Sequence, residues 1–134
     1  MNYFTFRELC KSDTAEDCGI QNIPDDQSLQ NLLEITRPQL NIVREFLGCP
    51  LFVTNAYRKP EVNKLVGGVS TSAHIRGLAA DIYSTKMTVQ EAFEKLKKAD
   101  FPFMDQCILY RSKNFIHIGF TETNKKPRKM YFEK

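Results

Sequence analysis

Tryptophan is absent from the 134 residues, and histidine occurs only twice. The ten phenylalanines and five tyrosines must therefore supply the aromatic part of any core. No apolar run approaches the eighteen or so residues of a membrane-spanning helix, so no bilayer partner is expected. The opening Met1 to Glu8 lacks a basic stretch leading into an apolar one, so a signal peptide is not expected and synthesis is placed in the cytoplasm. The four cysteines, Cys10, Cys18, Cys49 and Cys107, include no C-x-x-C pair, which argues against a zinc knuckle. Cys49 and Cys107 sit among apolar neighbours, and all four read as free thiols. A net charge of +3 is too small to mark a nucleic-acid binder, but it suits approach to an anionic polymer. There is no internal repeat, low-complexity tract or linker.

What remains is a chain of one-domain length, read as a single monomeric unit over residues 1–134. Ser12 to Gln27 is rich in turn formers and closes on a helix start. Leu29, Leu32, Leu33, Leu40, Val43 and Leu47 then recur at helical spacing, predicting a helix over 28–47. Pro38 is expected to kink or divide it, and Gly48 to cap it. Leu51 to Thr54 reads as a strand, Pro60 to Leu65 as a short helix, and Leu78 to Tyr83 as a second strand. Thr88 to Ala99 is an amphipathic helix; Gln106 to Tyr110 and Asn114 to Phe120 are strands around the turn Arg111-Ser112-Lys113. The basic stretch Asn124 to Lys129 is expected on the surface, with Met130 to Phe132 as a last strand. The order predicts an α+β domain: helices packed on an antiparallel sheet.

The chemistry concentrates on the two histidines. His74 ends a Gly-Gly-Val-Ser-Thr-Ser loop; Gly77 lets the backbone turn; Asp81 lies seven residues on, inside an apolar strand. A carboxylate between Ala80 and Ile82 is costly to bury unless it is paired or binds a cation. His117, between Ile116 and Ile118, poses the same question. Two imidazoles and a carboxylate are the ligand set of a catalytic zinc site that keeps a fourth position open. In the plainer alternative Asp81 caps a turn and the histidines hydrogen-bond in the core.

The pattern Ser72-x-His74-x-x-Gly77-x-Ala79-x-Asp81 resembles the signature of the zinc D-Ala-D-Ala carboxypeptidases and their phage endolysin relatives. Their wider superfamily includes lysostaphin-type enzymes and the hedgehog signalling domain. The resemblance extends through Phe4-Thr5-x-x-Glu8-Leu9, Ser12-Asp13-Thr14-Ala15, Asn22-x-Pro24, Tyr57-Arg58, Asn63 and Gly67-Gly68. It continues through Asp105-Gln106 and Phe115-Ile116-His117-Ile118. Each piece is short; the ordered set is specific.

The resemblance implies a hedgehog/DD-peptidase-like fold, a zinc cofactor held by His74, Asp81 and His117, and a peptidoglycan peptide as substrate. It places Arg58 beside the scissile carbonyl or the substrate carboxylate, where a planar fork of donors suits an anion. Ser72, Tyr57 and Asn114 are then expected to contact substrate. One residue departs from the family: many members carry an acid three residues before the second histidine, and here Asn114 stands there. An amide cannot take a proton from water. Asp105 is the nearest carboxylate in sequence and is the candidate general base. The expected function is a D,D-carboxypeptidase or peptidoglycan endopeptidase that reaches the wall after release or export. The competing reading is a zinc-containing wall-binding or structural module without turnover.

Overall fold

A computed structural model describes residues 2–134. Two short helices open the chain, α1 (Phe6–Cys10) and α2 (Asp13–Asp17), each started by a hydroxyl cap. Thr5 accepts from the Glu8 N–H, and Ser12 from the Ala15 N–H. The predicted long helix is one rod made of three pieces: α3 (Asp26–Asn31), a π-helical turn (Leu32–Thr36) and α4 (Arg37–Leu47). The helix runs through Pro38 without a gap, and the irregularity expected there falls in the π-helical turn just before it. The Arg37 N–H bonds to the Leu32 carbonyl five residues back, so the wide turn takes up the register that the proline cannot continue. Gly48 ends the rod in the left-handed conformation, with φ 70°.

Five strands form the sheet: β1 (Phe52–Asn55), β2 (Ala79–Tyr83), β3 (Gln106–Tyr110), β4 (Phe115–Gly119) and β5 (Met130–Glu133). Their order is β1-β2-β4-β3-β5. The first four are antiparallel to their neighbours, but β5 runs parallel to β3, so the sheet is mixed rather than antiparallel throughout. The reason is where β4 ends: Gly119 pairs with Gln106 at the start of β3, and Met130 pairs with that same residue, close to Asp105. Its carboxylate binds the Arg128 backbone N–H at 2.9 Å and the guanidinium at 3.0 and 2.7 Å. These bonds fasten the returning chain at the start of β3, from where it runs along β3 in the same direction.

α5 (Pro60–Leu65) follows β1, and α6 (Val89–Ala99) covers one face of the sheet, burying Val89, Ala92, Phe93 and Leu96. Leu40 and Val43 of α4 join Ile82, Cys107, Leu109, Ile116 and Ile118 in the same core. Each fully buried aliphatic side chain there contributes roughly 1.5–3 kcal/mol. The four cysteines are free, and burial pushes the Cys107 thiol up to about 12, which makes it an inert core residue. Among the described residues no helix is long and apolar enough to cross a membrane.

Candidate metal centre

The other face of the sheet carries the charged groups. In the β2–β4 ladder Asp81 pairs with His117, so strand alternation aims both side chains to one side. His117 Nδ1 lies 2.9 Å from Asp81 Oδ1. His74 comes from a different element, a single 3₁₀ turn (Ala73–Arg76) that leads into β2. Its Nε2 lies 3.4 Å from the same Asp81 oxygen, and the two imidazoles stand 5.1 Å apart. One donor atom from each of His74, Asp81 and His117 lies within 4.8 Å of the others.

The donor set fits a cation. His74 Nδ1 sits 2.6 Å from the Ala56 carbonyl, and only a protonated nitrogen can donate there. In the neutral ring Nε2 then presents its lone pair to a carboxylate oxygen. Two acceptors facing each other at 3.4 Å need a positive charge between them, which either a proton or a metal ion supplies. That separation is also the edge of a tetrahedron with bonds of about 2.0–2.2 Å, the range for zinc with nitrogen and oxygen ligands. A carbonyl behind the histidine is the usual second-layer support of a metal ligand. Burial by itself would raise the Asp81 pKa, but its contacts with His117 and His74 outweigh it and hold the carboxyl well below its usual range.

The His74 turn hangs on the long helical rod. The Ile75, Arg76 and Gly77 carbonyls accept in succession from Ser28 Oγ at 3.1 Å, Asn31 Nδ2 at 2.9 Å and Thr36 Oγ1 at 2.6 Å. All three helical side chains are buried. Gly77 closes the turn at φ 71°, and a Cβ there would overlap the Ser28 carbonyl oxygen, so only glycine fits. A groove of about 700 Å³, lined in part by Asp25, Asn31, Arg76 and Glu122, lies against this cradle but holds none of the three candidate ligands.

The remaining predicted site residues divide. Arg58 is half-buried, its N–H donates to the His74 carbonyl at 3.0 Å, and its Nε is buried with no partner. Burial draws its guanidinium pKa down, opposed by the charge of Asp81. Ser72 caps the His74 turn, its Oγ accepting from the His74 N–H at 3.3 Å, and so positions a candidate ligand. Tyr57, expected to contact substrate, is 2% exposed and belongs to the core. Asn114, expected near the substrate, is exposed in the β3–β4 turn with φ 58°, a conformation that asparagine tolerates better than most residues. Asp105, expected as the base, has both oxygens bound by Arg128; burial would raise its pKa, yet those hydrogen bonds and the Arg128 charge hold it low. In this geometry the carboxylate fastens the start of β5.

Sequence reasoning did not single out the Ala56 carbonyl or the Ser28, Asn31 and Thr36 cradle. A backbone carbonyl leaves no signature in sequence, and polar residues on an amphipathic helix read as a solvated face.

Residues 2–119 match the family model for peptidase M15. No curated protein matches the sequence. With a buried His–Asp–His cluster on an α+β sheet and a match over most of its length, the chain belongs to the peptidase M15 family, whose members are zinc-dependent.

Proposed function

We propose that the protein is a zinc peptidase acting on the D-alanyl peptides of bacterial peptidoglycan, as a D,D-carboxypeptidase or an endopeptidase. It would act as a monomer on the wall after release or export from the cytoplasm. One observation carries the reading: the convergence of His74, Asp81 and His117 on one face of the sheet, with Arg58 tied by its backbone to the His74 turn. A zinc ion held by these three residues supplies Lewis acidity, the chemistry that polarises a peptide carbonyl and acidifies water. The chain's own residues do the rest. The Ala56 carbonyl fixes which nitrogen of His74 faces the centre. Arg58 binds the substrate carboxylate or the developing oxyanion. Its unpartnered Nε shows a guanidinium whose hydrogen bonds are incomplete within the protein.

Metal content of the purified protein and mass analysis of digested muropeptides test this together. The expected result is one zinc per chain and release of D-alanine or conversion of cross-linked dimers to monomers. Arg58→Ala should lower turnover roughly 100-fold, the scale for losing one oxyanion donor, with the melting temperature little changed. A protein with no bound metal and no product in the digest would overturn the proposal.

A second reading has its own support. Asp105 is spent on Arg128, Asn114 sits in an exposed turn, and among the described residues no further carboxylate joins the cluster. A wall-binding module that holds zinc but turns nothing over would show bound muropeptide and unchanged product profiles in the same assay.

A further inference from the structure

Arg58 lies between the end of β1 at Asn55 and the start of α5 at Pro60, outside both elements. Its placement is set from elsewhere. Asn22, in the irregular segment before Pro24, donates from Nδ2 to the Tyr57 carbonyl at 3.0 Å and to the Cys10 carbonyl at 2.8 Å. Its Oδ1 accepts from the Lys59 N–H at 2.8 Å. One side-chain amide therefore grips the backbone immediately before and immediately after Arg58, and uses three of its four hydrogen-bonding positions to do so. The Arg58 N–H itself goes to the His74 carbonyl. Arg58 is thus suspended between the His74 turn and Asn22, while its Nε makes no bond that would hold the guanidinium from the other end. A side chain fixed only through its backbone is aimed only as well as that backbone is held.

We propose that Asn22 is a positioning residue for Arg58, and through it sets the preference for a substrate that ends in a free carboxylate. The inference rests on the reading of Arg58 as the anion-binding group. No other residue type supplies the same grip. Aspartate keeps the bond to the Lys59 N–H but loses both donors and sets a charge against two carbonyl oxygens. Alanine loses all three bonds.

The test uses the zinc-loaded full chain with two probes, N-acetyl-D-Ala-D-Ala and its C-terminal amide. Asn22→Ala should lose the preference for the carboxylate over the amide by roughly tenfold or more, the scale for removing an outer support, and should lose it in KM more than in kcat. Zinc stoichiometry should stay the same. Combined with Arg58→Ala, the loss should be no larger than for Arg58→Ala alone, because both variants remove one interaction. Retained preference in Asn22→Ala, or losses that add, would overturn the proposal. If Asn22→Ala does not fold, Asn22→Asp carries the same measurements. A wild type that treats the two probes alike defeats the reading of Arg58 itself. Amide exchange then decides the matter for Asn22: a faster-exchanging Arg58 N–H in the variant supports the grip, and unchanged protection ends it.

Discussion

His74 and His117 face one carboxylate oxygen, yet they are mounted in opposite ways. His117 sits in the middle of β4, with β2 on one side and β3 on the other, and backbone bonds of the ladder hold it. Almost any strand-forming neighbours would hold it as well. His74 sits on a single 3₁₀ turn, a poor hydrogen-bonded structure alone, and depends on three particular side chains and one glycine. A ladder is written in the backbone and tolerates substitution; a cradle is written in side chains and does not. The two mounts should therefore respond differently to mutations of similar size.

The sharpest break is Gly77→Ala. It combines a positive φ, costing about 1–2 kcal/mol, with overlap against backbone that cannot swing aside, costing about 1–3 kcal/mol. Chemical denaturation should show a loss of roughly 2–5 kcal/mol, and zinc competition should show weaker binding; wild-type affinity in a folded Gly77→Ala protein would refute the cradle. Next is Thr36→Val, nearly isosteric, which leaves the buried Gly77 carbonyl without its donor. The expected cost is about 1–3 kcal/mol, again with weakened zinc binding.

On the side of His117, Asp105→Asn loosens β5 from β3, beyond the ladder that bears the histidine. The loss should be about 1 kcal/mol near neutral pH, kept small because Arg128 is more than half exposed, and zinc affinity should not move. Its pH dependence follows from the lowered carboxyl pKa. The clamp is fully present above the unfolded-state value of about 3.9 and fades as pH falls through the lower folded-state value, so wild type and variant should converge in acid. Smallest of all is Asn114→Gly. Glycine accepts the left-handed turn, and the change should stay within about 0.5 kcal/mol with cleavage unaltered. A large loss of cleavage would return Asn114 to the site.

The same contrast explains what could be read in advance. Asp81 announced itself because a carboxylate between apolar strand residues demands a partner, and two histidines left little choice of one. The strands and the longer helices followed from residue pattern, but α1 and α2 did not, and α2 lies in the stretch that read as turns. The π turn ahead of Pro38 did not, because proline signals a conflict without saying how the helix resolves it. Nor did the parallel β5, because its direction depends on the end of the sheet at which the chain returns, which no local pattern carries. Ser28, Asn31 and Thr36 looked like ordinary polar positions until their tertiary partners were known. Asp105 was the converse case: proximity in sequence suggested a base, and nothing in the sequence pointed to its partner Arg128.

The two mounts also differ in the length of chain that must close to build them. The β3–β4 hairpin that carries His117 joins its strands through a turn of four residues, Arg111 to Asn114, and local pairings of this kind form early at little entropic cost. The cradle joins residues separated by 41 to 47 positions. Its bonds form only once the helical rod has docked against the turn before β2. In kinetic terms the β3–β4 side of His117's setting is expected before the cradle of His74, and the centre is expected to be completed by long-range steps that bring in β2 and the helical rod. Damage to the hairpin should then appear mainly as slower folding, and damage to the cradle mainly as faster unfolding.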